Sequence, residues 1–334
     1  MKRKTKRKMG FGIFCILLVI VAFVLIRPLG DFEVLGTIRN FSIFGDSNTG
    51  YTPANEDTLP DEADGRLNFE NALSYTDVGF SLSSNQALLI NLTTREVLFD
   101  YNAHARVYPA SLTKIMTVLL GVTQGQGETM TVQADFDQLM LNNASVAGFS
   151  SGEVRSTSEI LHGAMLPSGA DATSTIAHHV GGTYDRFVDL MNEKARDLGM
   201  ENTHFMNTSG LHHPNHYTTP YDMAILLRYA LENPIFRTVF TTRDYSFINW
   251  LGERQYMQST LFFNLSSTEF PGGEIIGGRT GFTNEAGRCL ASLATNGIDE
   301  FVLITFGADV YSADYQAHFA DAFTIYGYFL QQNR

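Results

Sequence analysis

The sequence predicts an α/β protein of the α+β type: one antiparallel sheet built from both ends of the domain and flanked by helices, with a mostly helical block inserted between. Three observations lead there. Apolar runs with strand character lie near residues 86–101 and again after about 243, the stretch from about 130 to 235 spaces its apolar residues as helices do, and the chain closes on an amphipathic helix. With 334 residues, 44% of them hydrophobic and 17% charged, the chain can bury a large core in one large domain or two modest ones.

The first 27 residues stand apart. They hold seven basic residues (Lys2, Arg3, Lys4, Lys6, Arg7, Lys8, Arg27) and no acidic one, which leaves 16 basic against 35 acidic residues in the body. A body that acidic argues against nucleic-acid binding. Gly10 to Ile26 is an uncharged, mostly apolar run near the lower length limit for crossing a bilayer as a helix. Six positive charges precede it and one follows, so the positive-inside rule puts a tail (residues 1–9) in the cytoplasm, an uncleaved anchor at 10–27 and the rest of the chain outside. Residues 28–75 are rich in Asp, Glu, Asn, Gly, Thr and Pro and read as a flexible acidic spacer, with the folded domain over 76–334 and order beginning near Gly79.

The elements follow in order. "QALLINLTTREVLFDYN" is two apolar runs around Thr93–Glu96 and predicts an antiparallel hairpin. Pro109 favours a helix start, and the helix is expected from Ser111 through Leu120. "TSEILHGAML", "SGADATSTIAHHV", "TYDRFVDLMNEKARDLG" and "TPYDMAILLRYALEN" each carry helical periodicity, several opening on Ser, Thr or Pro. Strands resume with "DYSFINW", "RQYMQST" and "EIIGGRTGFT". "CLASLATNG" and "EFVLITFGA" then meet at Asn296–Gly297, a strong turn signal. "SADYQAHFADAFTIYGYFLQQ" is the closing helix. Cys15 and Cys289 form no expected disulfide, and Cys289 reads as a small buried hydrophobe.

Beyond the basic N-terminus the chain has two lysines, Lys114 and Lys194. Lys194 falls on the polar side of its helix. Lys114 follows Ser111 by three residues, which puts both on one helix face, and an apolar stretch comes next. A lysine desolvated by Ile115, Met116 and Leu119 can lose its proton and serve as base to the serine, whose N–H sits at the positive end of the helix. Ser-x-x-Lys alone is a weak signal.

Its company makes it specific. "PASLTKIMT", "HGAMLPSGADA" and "GGRTGFTNEAGRCLASLA" resemble, in order, the three active-site motifs Ser-x-x-Lys, Ser-x-Asn and Lys-Thr-Gly of the serine D-alanyl-D-alanine carboxypeptidases, the low-molecular-mass penicillin-binding proteins of the S11 type. "LGMENTHFMNTSGLHHPNHYTTPYDMA" resembles the same family over a longer run. The resemblance covers about residues 80–330 and implies a β-lactamase/DD-peptidase-like fold. It implies Ser111 as acylated nucleophile, Lys114 as its base, and Ser168 as proton shuttle. Arg279 and Thr280 would hold the substrate carboxylate, Gly281 would let the substrate backbone lie against the strand, and the N–H groups of Ser111 and Phe282 would form the oxyanion hole. The implied substrate is a peptidoglycan stem ending in D-Ala-D-Ala, with β-lactams as covalent inhibitors and no metal or organic cofactor.

The chain departs from that pattern twice. Ala170 replaces the asparagine of the second motif, and Arg279 replaces the lysine of the third. Other readings are a binding protein with little turnover, a β-lactamase (no "ExxLN"-like segment is present to supply a deacylating base), and a zinc peptidase using His212, His213, His216 and Asp222. His178 and His179 read as packing or surface residues.

Overall fold

A computed structural model describes residues 66–135, 138–139, 143–309 and 316–331. The expected tail, anchor and most of the spacer lie outside the described residues. No helix among the described residues is long and apolar enough to cross a membrane.

The sheet orders its strands β1 (Leu73–Ser74), β3 (Val97–Tyr101), β2 (Gln86–Asn91), β11 (Glu300–Ala308), β10 (Gly287–Thr295), β9 (Gly273–Thr283) and β8 (Glu269–Phe270). As expected, strands from both ends of the domain pair antiparallel, with Leu89 opposite Phe99 and Leu303 opposite both Leu89 and Ser292. The sheet is nevertheless mixed, because β1 runs parallel to β3. Residues 68–74, read from composition as spacer, therefore carry structure: Asn68 bridges Glu96, and Leu73 lies beside Phe99. A strand of two exposed residues, only one of them apolar, is too short to show any alternation, which is why composition did not mark it.

The central strands are apolar on both sides because both faces are covered. Leu88, Ile90, Ala291, Leu293, Val302 and Ile304 face a core shared with the helical block. Leu89, Leu290, Leu303 and Phe301 face the terminal helix α8 (Ala317–Gln331) through Ile325, Tyr326 and Leu330. Each such Leu or Phe contributes about 1.5–3 kcal/mol through burial.

The helical block comprises α1 (Lys114–Thr123), α2 (Thr157–Met165), α3 (Ala170–Gly181), α4 (Tyr184–Asp197), α5 (Pro220–Glu232) and α6 (Pro234–Thr241). Its starts are chemically marked. Ser156 and Glu159 close a capping box on α2, and Thr219 accepts the N–H of Asp222 ahead of Pro220 on α5. The block is less helical than its periodicity suggests: β4 (Thr129–Thr131) and β5 (Val154–Ser156) pair as a ribbon. Likewise β6 (Asp244–Ile248) and β7 (Arg254–Gln258) form a separate hairpin. Each of its strands buries one large apolar residue, Phe247 or Met257, and these join the helical-block core. A short helix α7 (Thr260–Asn264) then leads to β8 and β9.

One buried carboxylate ties the two ends of the domain together. Asp321 on α8 accepts the N–H groups of Ser83 and Ser84 at 2.9 and 2.7 Å and the Ser84 hydroxyl at 2.6 Å. Asp321→Ala strands three donors, and the expected loss is about 2–4 kcal/mol in chemical denaturation; a loss below about 0.5 kcal/mol would show that water replaces the carboxylate.

Candidate active site

Ser111 does not sit in the α-helix. Residues Ala110–Thr113 form a 3-10 turn, and α1 begins at Lys114. The 3-10 turn has three residues per turn, so i and i+3 eclipse, and the serine and lysine meet more directly than on an α-helix. Lys114 Nζ lies 3.3 Å from Ser111 Oγ and also donates to the carbonyl oxygen of Ser209. Ser111 Oγ lies 3.0 Å from Ser168 Oγ. Two residues here take left-handed backbone, Ala110 with φ 45° and Ser168 with φ 71°. Such conformations cost about 1–3 kcal/mol each and persist only where the surroundings impose them.

Those surroundings come from the segment after α4. Asn207 Oδ1 accepts the N–H groups of Ser209 and Gly210, which curls the loop and turns the Ser209 carbonyl to Lys114. Gly210, at φ 87°, packs so tightly that a Cβ there would lie 1.7 Å from the Ala110 carbonyl oxygen. Sequence reasoning noted this stretch only as a whole, because a backbone carbonyl acting on a side chain leaves no residue-type signature.

Lys114 is 3% exposed, and Arg279, on β9, is fully buried beside it. Burial, then the charge of Arg279, hold the lysine well below its ordinary value of 10.5, and Asp171 opposes them weakly. Arg279 itself is drawn down by burial to about 9, so it stays cationic at neutral pH. Its donors go to Ser168 Oγ, to the Met165 carbonyl and, at 3.3 Å, to the Ser111 carbonyl. Arg279 therefore braces the Ser111–Ser168 pair and is absent from the cavity wall.

That cavity, about 450 Å³, is lined by Ser111, Ser168, Thr280, Gly281 and Phe282, which the sequence singled out, and by residues it did not: Asn143, Ser145, Thr260, Asn264, Arg288, His318 and Phe319. The Thr280 hydroxyl donates to Thr260 Oγ1 at 2.7 Å. Gly281 lies close to the nucleophile's turn, where a Cβ would sit 3.2 Å from the Ser111 nitrogen, a tight contact. Arg288 pairs with Phe282 across the strands and puts a cation in the cavity. Ala170 is buried at the start of α3 and lines no part of this cavity. Its neighbour Asp171 accepts the N–H groups of Ala147, Gly148 and Phe149, holding the loop that carries Ser145.

The histidines disperse. His216 is buried against Thr113, His212 stacks edge-on against Tyr108, and Asp222 accepts the Asn202 N–H and the Thr203 hydroxyl. Among the described residues no three His, Cys, Asp or Glu side chains converge as a metal site. Cys289 is fully buried, its thiol pushed up to about 12.

A serine, a dry lysine and a second serine thus meet against the outer edge of the sheet, the kind of grouping that can activate a serine hydroxyl. The profile of the D-alanyl-D-alanine carboxypeptidase family matches residues 72–310, and the chain belongs to that family. It is 34% identical over 230 residues to D-alanyl-D-alanine carboxypeptidase DacF of Bacillus subtilis, covering 67% of this chain and 57% of that one. It is 28% identical to DacD of Escherichia coli, covering 66% of this chain and 58% of that one. The match thus spans little more than half the length of these relatives. The crystal structure of the Streptomyces K15 DD-transpeptidase superposes with a TM-score of 0.66 at 28% identity, over 75% of this chain and 99% of that one.

If Lys114 must be neutral to accept the Ser111 proton, acylation rises with pH along a limb whose midpoint lies well below 10.5. Arg279→Gln removes a neighbouring charge, so that limb moves to higher pH. A pH profile of β-lactam acylation measures both, and a limb at the ordinary lysine value would overturn the assignment.

Proposed function

We propose that the chain is a serine D-Ala-D-Ala carboxypeptidase that removes the terminal D-Ala from peptidoglycan stem peptides through an acyl-enzyme on Ser111. The observation that carries this is the Lys114–Ser111–Ser168 cluster beside β9. Lys114 takes the Ser111 proton as Oγ attacks the carbonyl of the penultimate D-Ala. The N–H groups of Ser111 and Phe282 receive the oxyanion. Ser168, whose oxygen accepts from Arg279, passes its hydrogen to the leaving amine and takes in its place the proton that Lys114 received from Ser111, which returns the lysine to its neutral form. Water then hydrolyses the ester, the same groups working in reverse. β-Lactams acylate Ser111 in the same way. The N-terminal charge pattern supports an anchor at 10–27 with the catalytic domain outside the membrane.

The role of Arg279 shifts in this reading. A fully buried guanidinium committed to Ser168 serves the proton path, and the substrate carboxylate falls instead to Thr280 and Arg288, which line the cavity. An acyl-D-Ala-D-Ala peptide should release D-alanine, and Ser111→Ala should abolish release while a chelator leaves it intact. Adduct formation with penicillin but no D-alanine release would favour the low-turnover binding protein, for which the missing amide at Ala170 is the one supporting feature.

Arg288→Gln should raise KM about tenfold or more for the free carboxylate, the loss of one charge-assisted contact, and little for the C-terminally amidated peptide. Equal effects on both would return the carboxylate to another group.

A further inference from the structure

His216 belongs to the segment after α4, far from the nucleophile in sequence, yet its ring reaches the nucleophile's own turn. It is 2% exposed. Nε2 lies 2.9 Å from Thr113 Oγ1, and that hydroxyl donates to the Ala110 carbonyl oxygen at 2.8 Å. A hydroxyl has one hydrogen. With it spent on Ala110, the Thr113 oxygen accepts, so Nε2 carries the proton. Nδ1 is then the acceptor, and the Met206 N–H points to it at 3.4 Å. One tautomer satisfies every contact. Burial, together with the charges of His204, His213, His212 and Lys114, holds His216 down to about 3, so the ring is neutral throughout the working range.

The chain of bonds ends on one peptide plane. The Ala110 carbonyl and the Ser111 N–H belong to the same trans peptide, so they point in opposite directions. A clamp on the carbonyl therefore aims the N–H. Ala110 is in left-handed backbone, which a non-glycine residue abandons unless held. Gly210 presses on the same carbonyl from close range.

We propose that His216 is a positioning residue: through Thr113 it clamps the Ala110 carbonyl and so aims the Ser111 N–H at the oxyanion. The proposal rests on Ser111 as the acylated nucleophile. It assigns the histidine of the "HHPNH" run a role in transition-state geometry, and it predicts a defect in the acylation step with ground-state binding spared.

The test is a double-mutant cycle on the full chain, with benzylpenicillin acylation followed by intact mass over a concentration series that separates the limiting rate from the noncovalent binding constant. His216→Leu and Thr113→Val should each slow the limiting rate about 10- to 100-fold, the range for a misaimed oxyanion donor, and change binding less than twofold. The double variant should be no slower than the worse single one. His216→Gln, which keeps a side-chain N–H, and Thr113→Ser, which keeps the hydroxyl, should stay within a few-fold of wild type, and both serve as folded controls should a deletion unfold. Multiplying losses, losses confined to binding, or Gln and Leu variants equally impaired would overturn the clamp. Absence of any adduct on the wild type would remove the acyl-enzyme reading, and the proposal with it.

Discussion

The site depends on one constraint, an amino group kept out of water. A lysine ammonium carried into a dry interior loses its hydration, and the neutral form gains by comparison. A buried carboxylate in direct contact would cancel that gain, and among the described residues none bonds the amine. Asp171 is near enough to be felt, but its oxygens are taken by backbone N–H groups of 147–149 and of Ala172. The second cation, Arg279, pushes the same way as burial. What Lys114 receives is a neutral acceptor, the Ser209 carbonyl, which orients it without restoring its charge. The apolar run after the lysine, the curled 207–210 loop and the buried arginine each serve to keep this amine dry and aimed.

Much of this was legible in the sequence, in proportion to how local the signal is. The hairpin around Thr93–Glu96, the Asn296–Gly297 turn, the capped helices and the terminal helix announce themselves by periodicity and turn chemistry. Ser111, Lys114 and Ser168 stand out because residue type and spacing encode them. What was missed is encoded otherwise. The two-residue strand at Leu73–Ser74 has no pattern to detect. The 3-10 turn at 110–113 is chosen by tertiary clamps on a left-handed alanine. Arg288 and His318 lie in different elements, and only the folded sheet brings them to one cavity. The histidines invited a metal because proximity in sequence suggests convergence, but the Pro214–Asn215 loop and the burial of His216 send them apart.

The two departures from the family pattern have different weights. Arginine for lysine at 279 keeps a cation beside Ser168 and adds reach: one planar group touches Ser168, Met165 and Ser111 together. The guanidinium also holds its proton more firmly than an amine in the same place would. Alanine at 170 gives up an amide, and its buried backbone N–H bonds the Ser145 carbonyl. That bond and the Asp171 cluster keep the cavity wall in place, so the loss is confined to whatever the amide would have touched.

The position of the cavity follows from the sheet's outer edge. β8 pairs with β9 only at Gly273 and Glu274, so from Gly278 to Thr283 β9 has no outer strand partner among the described residues. An unpaired edge is ordinarily a liability, inviting another chain to add as a strand. Here α7 and the first turn of α8 stand beyond it, supplying Thr260, Asn264, His318 and Phe319 to the cavity. The edge is thus left unpaired beside the cavity, with Gly281 and Ser111 both in the cavity wall. The edge that would otherwise be a liability is walled into the cavity, and Ser111, Lys114 and Ser168, drawn from the helical side, gather against β9.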